Sequence, residues 1–464
     1  MSLMDALQDR FQRNIVFEVQ LLVTGEGDRT SQVVSAISEV GPRVTDVELE
    51  ELTEDGMQYA MTLFTAGDDE MAAARKAIEA VDDVEILDVI DVAMESHRGG
   101  SCHVQASAPI TSNTDLRIVY TPGVARVCKA IEKDPSLARD YTGISNKVAI
   151  CTNGTAILGL GDIGPVAGMP VMEGKSAIFW EFAGVSAEPI LVNTQDPDEF
   201  IKAIELIGPT FGAIQVEDVK APECFKITRE LDNRLPVPVM HDDQHGTAAV
   251  VMAALFSALN KTGKKLEELT VSMVGAGAAG TAIADLLMHE GVEDVILCDR
   301  RGALHRGRDN MNAEKTALAE RTNKQNRSGD LAESMKGTDL FIGVSGPGLV
   351  TPEMVRNMND DPIIFALANP VSEISRDDAL RAGASVYADG RMINNAVCYP
   401  GIFRGALDAG AERITVQMVV AAAHAAANCV QGDAIMPEMM DPHTHMSVAE
   451  ATRDAAGPGD PLLA

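Results

Sequence analysis

LEELTVSMVGAGAAGTAIADLLMHEGVEDVILCDRRG, residues 266–302, is the stretch that decides the fold. TVSMV is a short apolar strand, and Gly275-Ala276-Gly277-Ala278-Ala279-Gly280 follows it as G-x-G-x-x-G. TAIADLLMHEG continues as a helix ended by Gly291, and VEDVILCD is a second strand ending on Asp299. Strand, glycines, helix, strand and acid stand in the order of a dinucleotide-binding unit. Gly275 makes the tight turn, Gly277 lets the backbone approach a pyrophosphate, and Gly280 lets helix and strand pack closely. The loop's N–H groups, those of Ala276, Ala278 and Ala279 among them, and the helix dipole then face the phosphates. Asp299 suits NAD, because a carboxylate accepts from the ribose 2′-OH and repels a 2′-phosphate. Arg300 and Arg301 come next and suit that phosphate, so NAD and NADP both stay open. Gly159-Leu160-Gly161-Asp162-Ile163-Gly164 fits the same pattern. Pro165, Gly168 and Pro170 follow it, and on this reading they keep a helix from starting there.

Outward from this unit, residues 248–430 alternate strand and helix patterns, the sign of a parallel sheet with crossovers. LFIGVSGPG (340–348) is another strand-to-loop segment. Its Gly343, Ser345 and Gly346 either pass beside the dinucleotide or form an ordinary strand-end turn. Residues 112–247 hold most of the polar motifs and are read as an α/β substrate and metal domain. Residues 1–98 read as βαββαβ, with strand NIVFEVQLLV, helix SQVVSAISEV, a hairpin about Asp55-Gly56, helix DEMAAARKAIEAV and strand EILDVIDVAM. That order is the ferredoxin-like α+β plan. A linker over 99–111, rich in small residues, separates it from the rest. Residues 431–464 read as a loop, a short helix and a frayed end.

Composition narrows the class. A chain of 464 residues exceeds one ordinary core. Its net charge of −31 argues against nucleic acid, which needs a basic face. No apolar run is long enough for a membrane span, and the N-terminus lacks the apolar centre of a signal peptide. Seven dispersed cysteines without CxxC spacing suit reduced thiols in a cytoplasm. The acidity is awkward for an acidic substrate, so a dicarboxylate site requires local positive charge or a metal.

Six segments place polar residues in apolar or Gly/Pro-rich surroundings: YTPGVA from Tyr120, GLGDIGPVAGMPVMEGKS, QVEDVKAP from Gln215, HDDQHGTA from His241, ALANP from Ala366 and NNAVCYPG from Asn394. Glu217 and Asp218 follow the apolar strand FGAIQV, and Asp242 and Asp243 follow PVPVM. Strand ends are where α/β proteins place ligands. Carboxylates converging there repel one another unless a cation lies between them, and an all-oxygen set suits Mg²⁺ or Mn²⁺. Taken singly, each acid is equally a helix cap. Lys175 is read in a Gly-rich loop before SAIFWEF. To act as a base it must lose its proton, which burial or a neighbouring cation favours. Tyr120 sits on a tight turn beside Pro122 and Gly123.

Together these segments resemble the malic enzyme family in its shorter bacterial and archaeal form, over about residues 110–450. The resemblance implies oxidative decarboxylation of L-malate to pyruvate with NAD or NADP and Mg²⁺ or Mn²⁺, by a homo-oligomer. It implies Tyr120 as proton donor, Lys175 as general base supported by Asp242, and Glu217, Asp218 and Asp243 as metal ligands. Asn369 and Asn395 are implied as contacts to malate carboxylates, with Asn369 also beside the cofactor. Ala156 stands where larger members carry a substrate-binding Arg. The N-terminal region resembles an ACT-type regulatory domain, which implies a small-molecule effector; a ligand-free dimerising domain has the same topology. A malolactic enzyme (malate to lactate and CO₂), a non-catalytic nucleotide- and effector-binding protein and a metal-free hydroxyacid or amino-acid dehydrogenase are the rival readings.

Overall fold

The computed structural model describes residues 15–24, 28–157 and 159–462. The polar N-terminal stretch, the centre of the TGEGDRT turn and the last two residues of the frayed end lie outside the described residues. Chain contacts divide the protein into two units, 1–103 and 104–464.

In the first unit, β1 (Ile15–Val23), β2 (Arg43–Leu52), β3 (Met57–Thr65) and β4 (Val84–Asp91) form one sheet in the order β2-β3-β1-β4. The pairings of β1 with β3 and β4, and of β2 with β3, are antiparallel. Helices Arg29–Glu39 and Asp68–Glu79 complete the ferredoxin-like order. Alternation builds the core: Val19, Leu21, Met61 and Leu63 meet Val33, Ile37, Ala74 and Ile78. The last strand is shorter than its sequence suggests. Asp91 ends it, accepts from the Met94 N–H and opens the short helix Val92–Ser96.

The second unit holds two parallel sheets. One contains β5 (Lys147–Thr152), β6 (Ser186–Leu191), β7 (Ala213–Val216) and β8 (Val239–His241) in the order β6-β5-β7-β8. The other contains β9 (Thr270–Val274), β10 (Asp294–Asp299), β11 (Gly302–Ala303), β12 (Leu340–Gly343), β13 (Ile363–Ala366) and β14 (Val386–Asp389). Its order is β11-β10-β9-β12-β13-β14, and every pairing is parallel except that of β11. The chain leaves β9 for β10 on one side and later returns to β12 on the other. That reversal is the topological switch point of a doubly wound sheet. Ten of the sixteen residues of the helix Thr247–Thr262 are buried, and one apolar core runs from Val148 and Ile150 through Val251 and Leu255 to Met273 and Phe365.

The structure corrects the reading of 159–176. The segment after Ile163 is a helix, Gly164–Ala183, and Lys175 lies inside it rather than in a loop. Pro165 sits in the first turn, where its missing N–H costs nothing. Gly168 allows close approach, because a Cβ there would lie 2.9 Å from Ile157 Cδ1. Met172, Ser176 and Phe179 bury the inner face, and tertiary packing outweighs the poor propensity of Gly168, Pro170 and Gly174. At the C-terminus the short helix is Pro442–Asp454, over three turns long, with Val448 and Ala449 buried.

Asp285, on the dinucleotide-loop helix Ala278–His289, is 3% exposed and pairs with Arg321. Burial outweighs that pairing and raises its carboxyl to about 6, from 3.8. The folded chain therefore holds this proton more tightly than the unfolded chain, and folding loses stability as pH rises from about 4 to about 6. Asp285→Asn removes the titration. Its stability relative to the parent, from urea unfolding, is expected to rise by roughly 2–3 kcal/mol between pH 4 and pH 7. A difference that stays flat over that range refutes the assignment.

Candidate active site

The chemistry converges where β7 and β8 end. β7 delivers Gln215, Glu217 and Asp218, and β8 delivers His241, Asp242 and Asp243 into a π-helical turn, Asp242–Gly246. Asp218 takes a positive φ of 50°, and its carbonyl accepts from the Ala156 N–H at 3.0 Å. The Asp218 N–H donates to Asp243 Oδ2 at 2.9 Å, tying the two strand ends together.

Lys175 reaches this cluster from the side. Its Nζ lies 2.6 Å from Asp242 Oδ2 and 2.8 Å from Glu217 Oε1. Asn395 Nδ2 donates to the same Asp242 oxygen at 2.5 Å, and Gln215 Nε2 donates to Glu217 Oε2 at 2.5 Å. The Tyr399 ring sits 4.4 Å from the ammonium, in cation–π contact. Phe179, one turn beyond Lys175, packs edge-on against Tyr399 at 5.1 Å and Phe403 at 5.5 Å, which fixes where its helix lies.

Burial dominates the electrostatics. It pushes the Glu217, Asp242 and Asp243 carboxyls upward, and Lys175 only partly offsets this. Burial alone would lower Lys175, but the charges of Asp242 and Glu217 outweigh it and hold the ammonium well above its ordinary value. His241 is driven down to about 4 by burial and stays neutral. One oxygen each from Glu217, Asp218 and Asp243 lie within 4.8 Å of one another. Three acids with a hard all-oxygen donor set and one lysine fit a divalent cation of the Mg²⁺ or Mn²⁺ type.

At the dinucleotide loop, Gly275 has φ 113° and Gly277 caps the helix with open space where a side chain would stand. A Cβ on Gly280 would lie 1.7 Å from the Gly275 carbonyl oxygen. Ala276, Ala278 and Ala279 complete the loop and helix start. Asp299 is already engaged: its Oδ2 pairs with Arg308 at 2.6 Å and Lys315 at 2.8 Å. Burial would raise this carboxyl, but the two cations hold it at about 2. Arg300 and Arg301 are exposed, and the Arg301 N–H donates to Asp299 Oδ1.

Of the residues singled out in the sequence, the structure gathers Lys175, Glu217, Asp218, Asp242, Asp243 and Asn395. Asn369 is exposed just beyond β13. Tyr120 is 66% exposed after the helix Asn113–Val119 and bonds to none of the cluster's side chains. Gln215, Tyr399, Arg308 and Lys315 escaped the sequence reading. Gln215 left one signal, an amide amid the apolar residues of FGAIQV.

Residues 100–232 match the malic enzyme N-terminal domain, and 244–393 match the malic enzyme NAD binding domain. An NAD-dependent malic enzyme of Geobacillus stearothermophilus is 41% identical over 432 residues, 92% of this chain and 90% of its own. The chain belongs to the malic enzyme family. It is an enzyme of that family with an NAD-binding domain. A bifunctional malic/malolactic enzyme of Bacillus subtilis is 45% identical over 368 residues, 77% of this chain and 90% of its own. The crystal structure of malic enzyme from Pyrococcus horikoshii superposes with a TM-score of 0.76 at 41% identity, covering 78% of this chain and 89% of that one.

Asp243→Ala opens the carboxylate trio. Mn²⁺ titration followed by electron paramagnetic resonance should show one tight site in the parent and an affinity at least about 100-fold weaker in the variant. An unchanged titration removes Asp243 from the ligand set.

Proposed function

We propose that this chain oxidatively decarboxylates L-malate to pyruvate and CO₂, reduces NAD⁺ or NADP⁺, and depends on Mg²⁺ or Mn²⁺. The observation that carries this reading is one buried lysine, paired to Asp242 and Glu217, beside the three-carboxylate cluster of Glu217, Asp218 and Asp243. A divalent ion held there would supply Lewis-acid polarisation of the substrate's C2 oxygen. Asp242 and Glu217 hold Lys175 protonated as it stands. A cation on the carboxylate trio would offset those charges and favour the neutral amine, which would then accept the C2 hydroxyl proton, the bound nicotinamide supplying the hydride acceptor. Asp242, itself held by Asn395, aims the Lys175 amine. The C3–C4 bond then breaks, CO₂ leaves, and its electron pair forms the enolate of pyruvate. Tyr120, exposed and outside the gathered cluster, is the group we assign to protonate C3. Asn369 and the remaining valences of Asn395 take malate's carboxylates.

Either dinucleotide fits the charge at Asp299. Its carboxylate is neutralised by Arg308 and Lys315, so a 2′-phosphate meets no unpaired anion. A homo-oligomer is the assembly we propose. Leu116, Ile118, Val119 and Tyr120 form an exposed apolar run, and Trp180 is 60% exposed on the helix that carries Lys175. Covering such surface is what a second copy does. The first unit's topology supports an ACT-type module, and we assign it a small-molecule effector. Reduced cysteines, all free, support a cytoplasmic site. The malolactic outcome is the second reading, favoured by the 45% identity to the bifunctional relative.

Purified protein with L-malate, Mn²⁺ and NAD⁺ or NADP⁺ should form reduced cofactor and pyruvate in equal amounts, and a chelator should stop it. Lactate without net reduction establishes the malolactic reading instead. Lys175→Ala and Tyr120→Phe should each lower kcat by at least about 10²-fold with the circular dichroism unchanged. Losses under about tenfold in both would remove those roles. Asp299→Asn frees Arg308 and Lys315, and the NADP⁺ to NAD⁺ ratio of kcat/KM should rise by about tenfold or more, some 1.4 kcal/mol of discrimination. A ratio that stays constant means the two cations never reach the 2′ position.

A further inference from the structure

Glu373 is fully buried, yet no step above uses it. It lies past the end of β13, just before the helix Arg376–Arg381. Its Oε1 accepts from the Ser345 N–H at 3.1 Å, in the loop that follows β12. Its Oε2 accepts from the Ala368 N–H at 3.1 Å, in the loop that follows β13. Its own carbonyl accepts from the Val350 N–H at 3.0 Å, and the carbonyl of Ser372 accepts from the Gly348 N–H at 3.1 Å. One short segment thus holds both loops by their backbones.

Two glycines show how closely this bracket fits. A Cβ on Gly343 would lie 2.3 Å from Glu373 Cδ and 2.6 Å from Oε1, so Gly343 is the space the carboxylate occupies. A Cβ on Gly275 would lie 2.5 Å from the Val344 carbonyl oxygen. Val344 in turn donates its N–H to Val274 at 2.9 Å. The loop that Glu373 grips is therefore the loop that packs against the first glycine of the dinucleotide fingerprint. β9 and β12 are neighbours at the switch point of the sheet, and a dinucleotide lies in the crevice beyond their C-terminal ends.

We propose that Glu373 is a positioning residue for the dinucleotide: by bracketing the Ser345 and Ala368 N–H groups it sets the wall of the crevice facing Gly275–Gly280. The charge matters because an ionised carboxylate offers an acceptor to each N–H, whereas an amide offers one oxygen and turns an NH₂ toward the other donor. Loosening this wall changes how well the cofactor is held, without touching Lys175 or the carboxylate cluster. The inference rests on reading the Gly275–Gly280 loop as the dinucleotide site, and it is independent of malate as the substrate.

The test is Glu373→Gln in the full-length protein, read by fluorescence titration with NADH and NADPH and by steady-state kinetics. The Kd of the better-bound dinucleotide, and its KM, should rise about ten- to a hundredfold. KM for malate and kcat at saturating cofactor should stay within about threefold. If Glu373→Gln does not fold, Glu373→Asp carries the same readout, since it keeps the charge on a shorter arm that cannot span both loops. A folded variant with unchanged dinucleotide Kd, or one that loses kcat with KM intact, shows a purely structural residue and overturns the proposal. Because the titration needs no turnover, a parent that binds NADH but does not oxidise malate leaves this inference standing and removes the proposed reaction. A parent that binds neither dinucleotide removes both.

Discussion

Four carboxylates and one ammonium, of which the Asp243 side chain alone is substantially exposed, are the constraint around which the second unit is arranged. Glu217, Asp242 and Asp243 all titrate upward because burial penalises their charge, and Lys175 is the cation that partly compensates. Two charges at this separation interact strongly only where water is excluded, and around Lys175 the exclusion is close to complete: the Asp242 side chain is 0%, that of Glu217 4% and that of Lys175 12% exposed. Such an array costs folding free energy, because desolvating each ion costs several kcal/mol before pairing returns any of it. It persists because the strands fix it. The Asp218 N–H bonded to Asp243, and the Ala156 N–H bonded to the Asp218 carbonyl, lock the ends of β7 and β8 before any ligand arrives.

Holding Lys175 in register needs more than its ion pairs. The lysine stands on a helix whose sequence, rich in Gly and Pro, is a poor helix former. What keeps it helical and in place is an aromatic wedge in which Phe179 meets Tyr399 and Phe403 edge-on. Tyr399 belongs to the NNAVCYPG segment, and so does Asn395, which grips Asp242. One late segment of the chain thus orients the lysine through its ring and the supporting acid through its amide. The effect lives in packing, and any change that shifts the Phe179 ring shifts the amine.

The sequence was most legible where a local rule has a single cause. G-x-G-x-x-G with Asp299 at the next strand end identifies the dinucleotide unit because tight turn, close approach and close packing each demand glycine. The βαββαβ order followed from strand alternation, helical spacing and the Asp55-Gly56 turn. The helix through Lys175 was misread because Pro165 and Pro170 were weighed by propensity, while Met172, Ser176 and Phe179 recover the helix through contacts remote in sequence. Asp299 was legible as an acid at a strand end, but its partners Arg308 and Lys315 were not. They lie nine and sixteen residues on, past a turn whose path no periodicity encodes. Glu373 left no signal either, because a lone acid after ALANP looks like any helix-flanking acid until Gly343 is seen to vacate space for it.

Charge balance also explains why the cluster is unfinished as it stands. With all four acids ionised, Lys175 leaves it at −3, and a divalent cation would bring it only to −1. A dicarboxylate cannot enter such a site on those charges alone, least of all in a chain whose net charge is −31. Ala156, whose N–H bonds the Asp218 carbonyl, brings no charge to the cluster. Compensation must come from outside the gathered residues. The segment 113–133 around Tyr120 carries Arg117, Arg126, Lys129 and Lys133 against Asp115 and Glu132, a local excess of positive charge. No residue of its helices Asn113–Val119 and Val124–Lys133 is buried. The phenol assigned to protonate the enolate and the positive charge the substrate requires thus travel on the same exposed segment. Whatever covers that segment's apolar face would have to meet both needs at once.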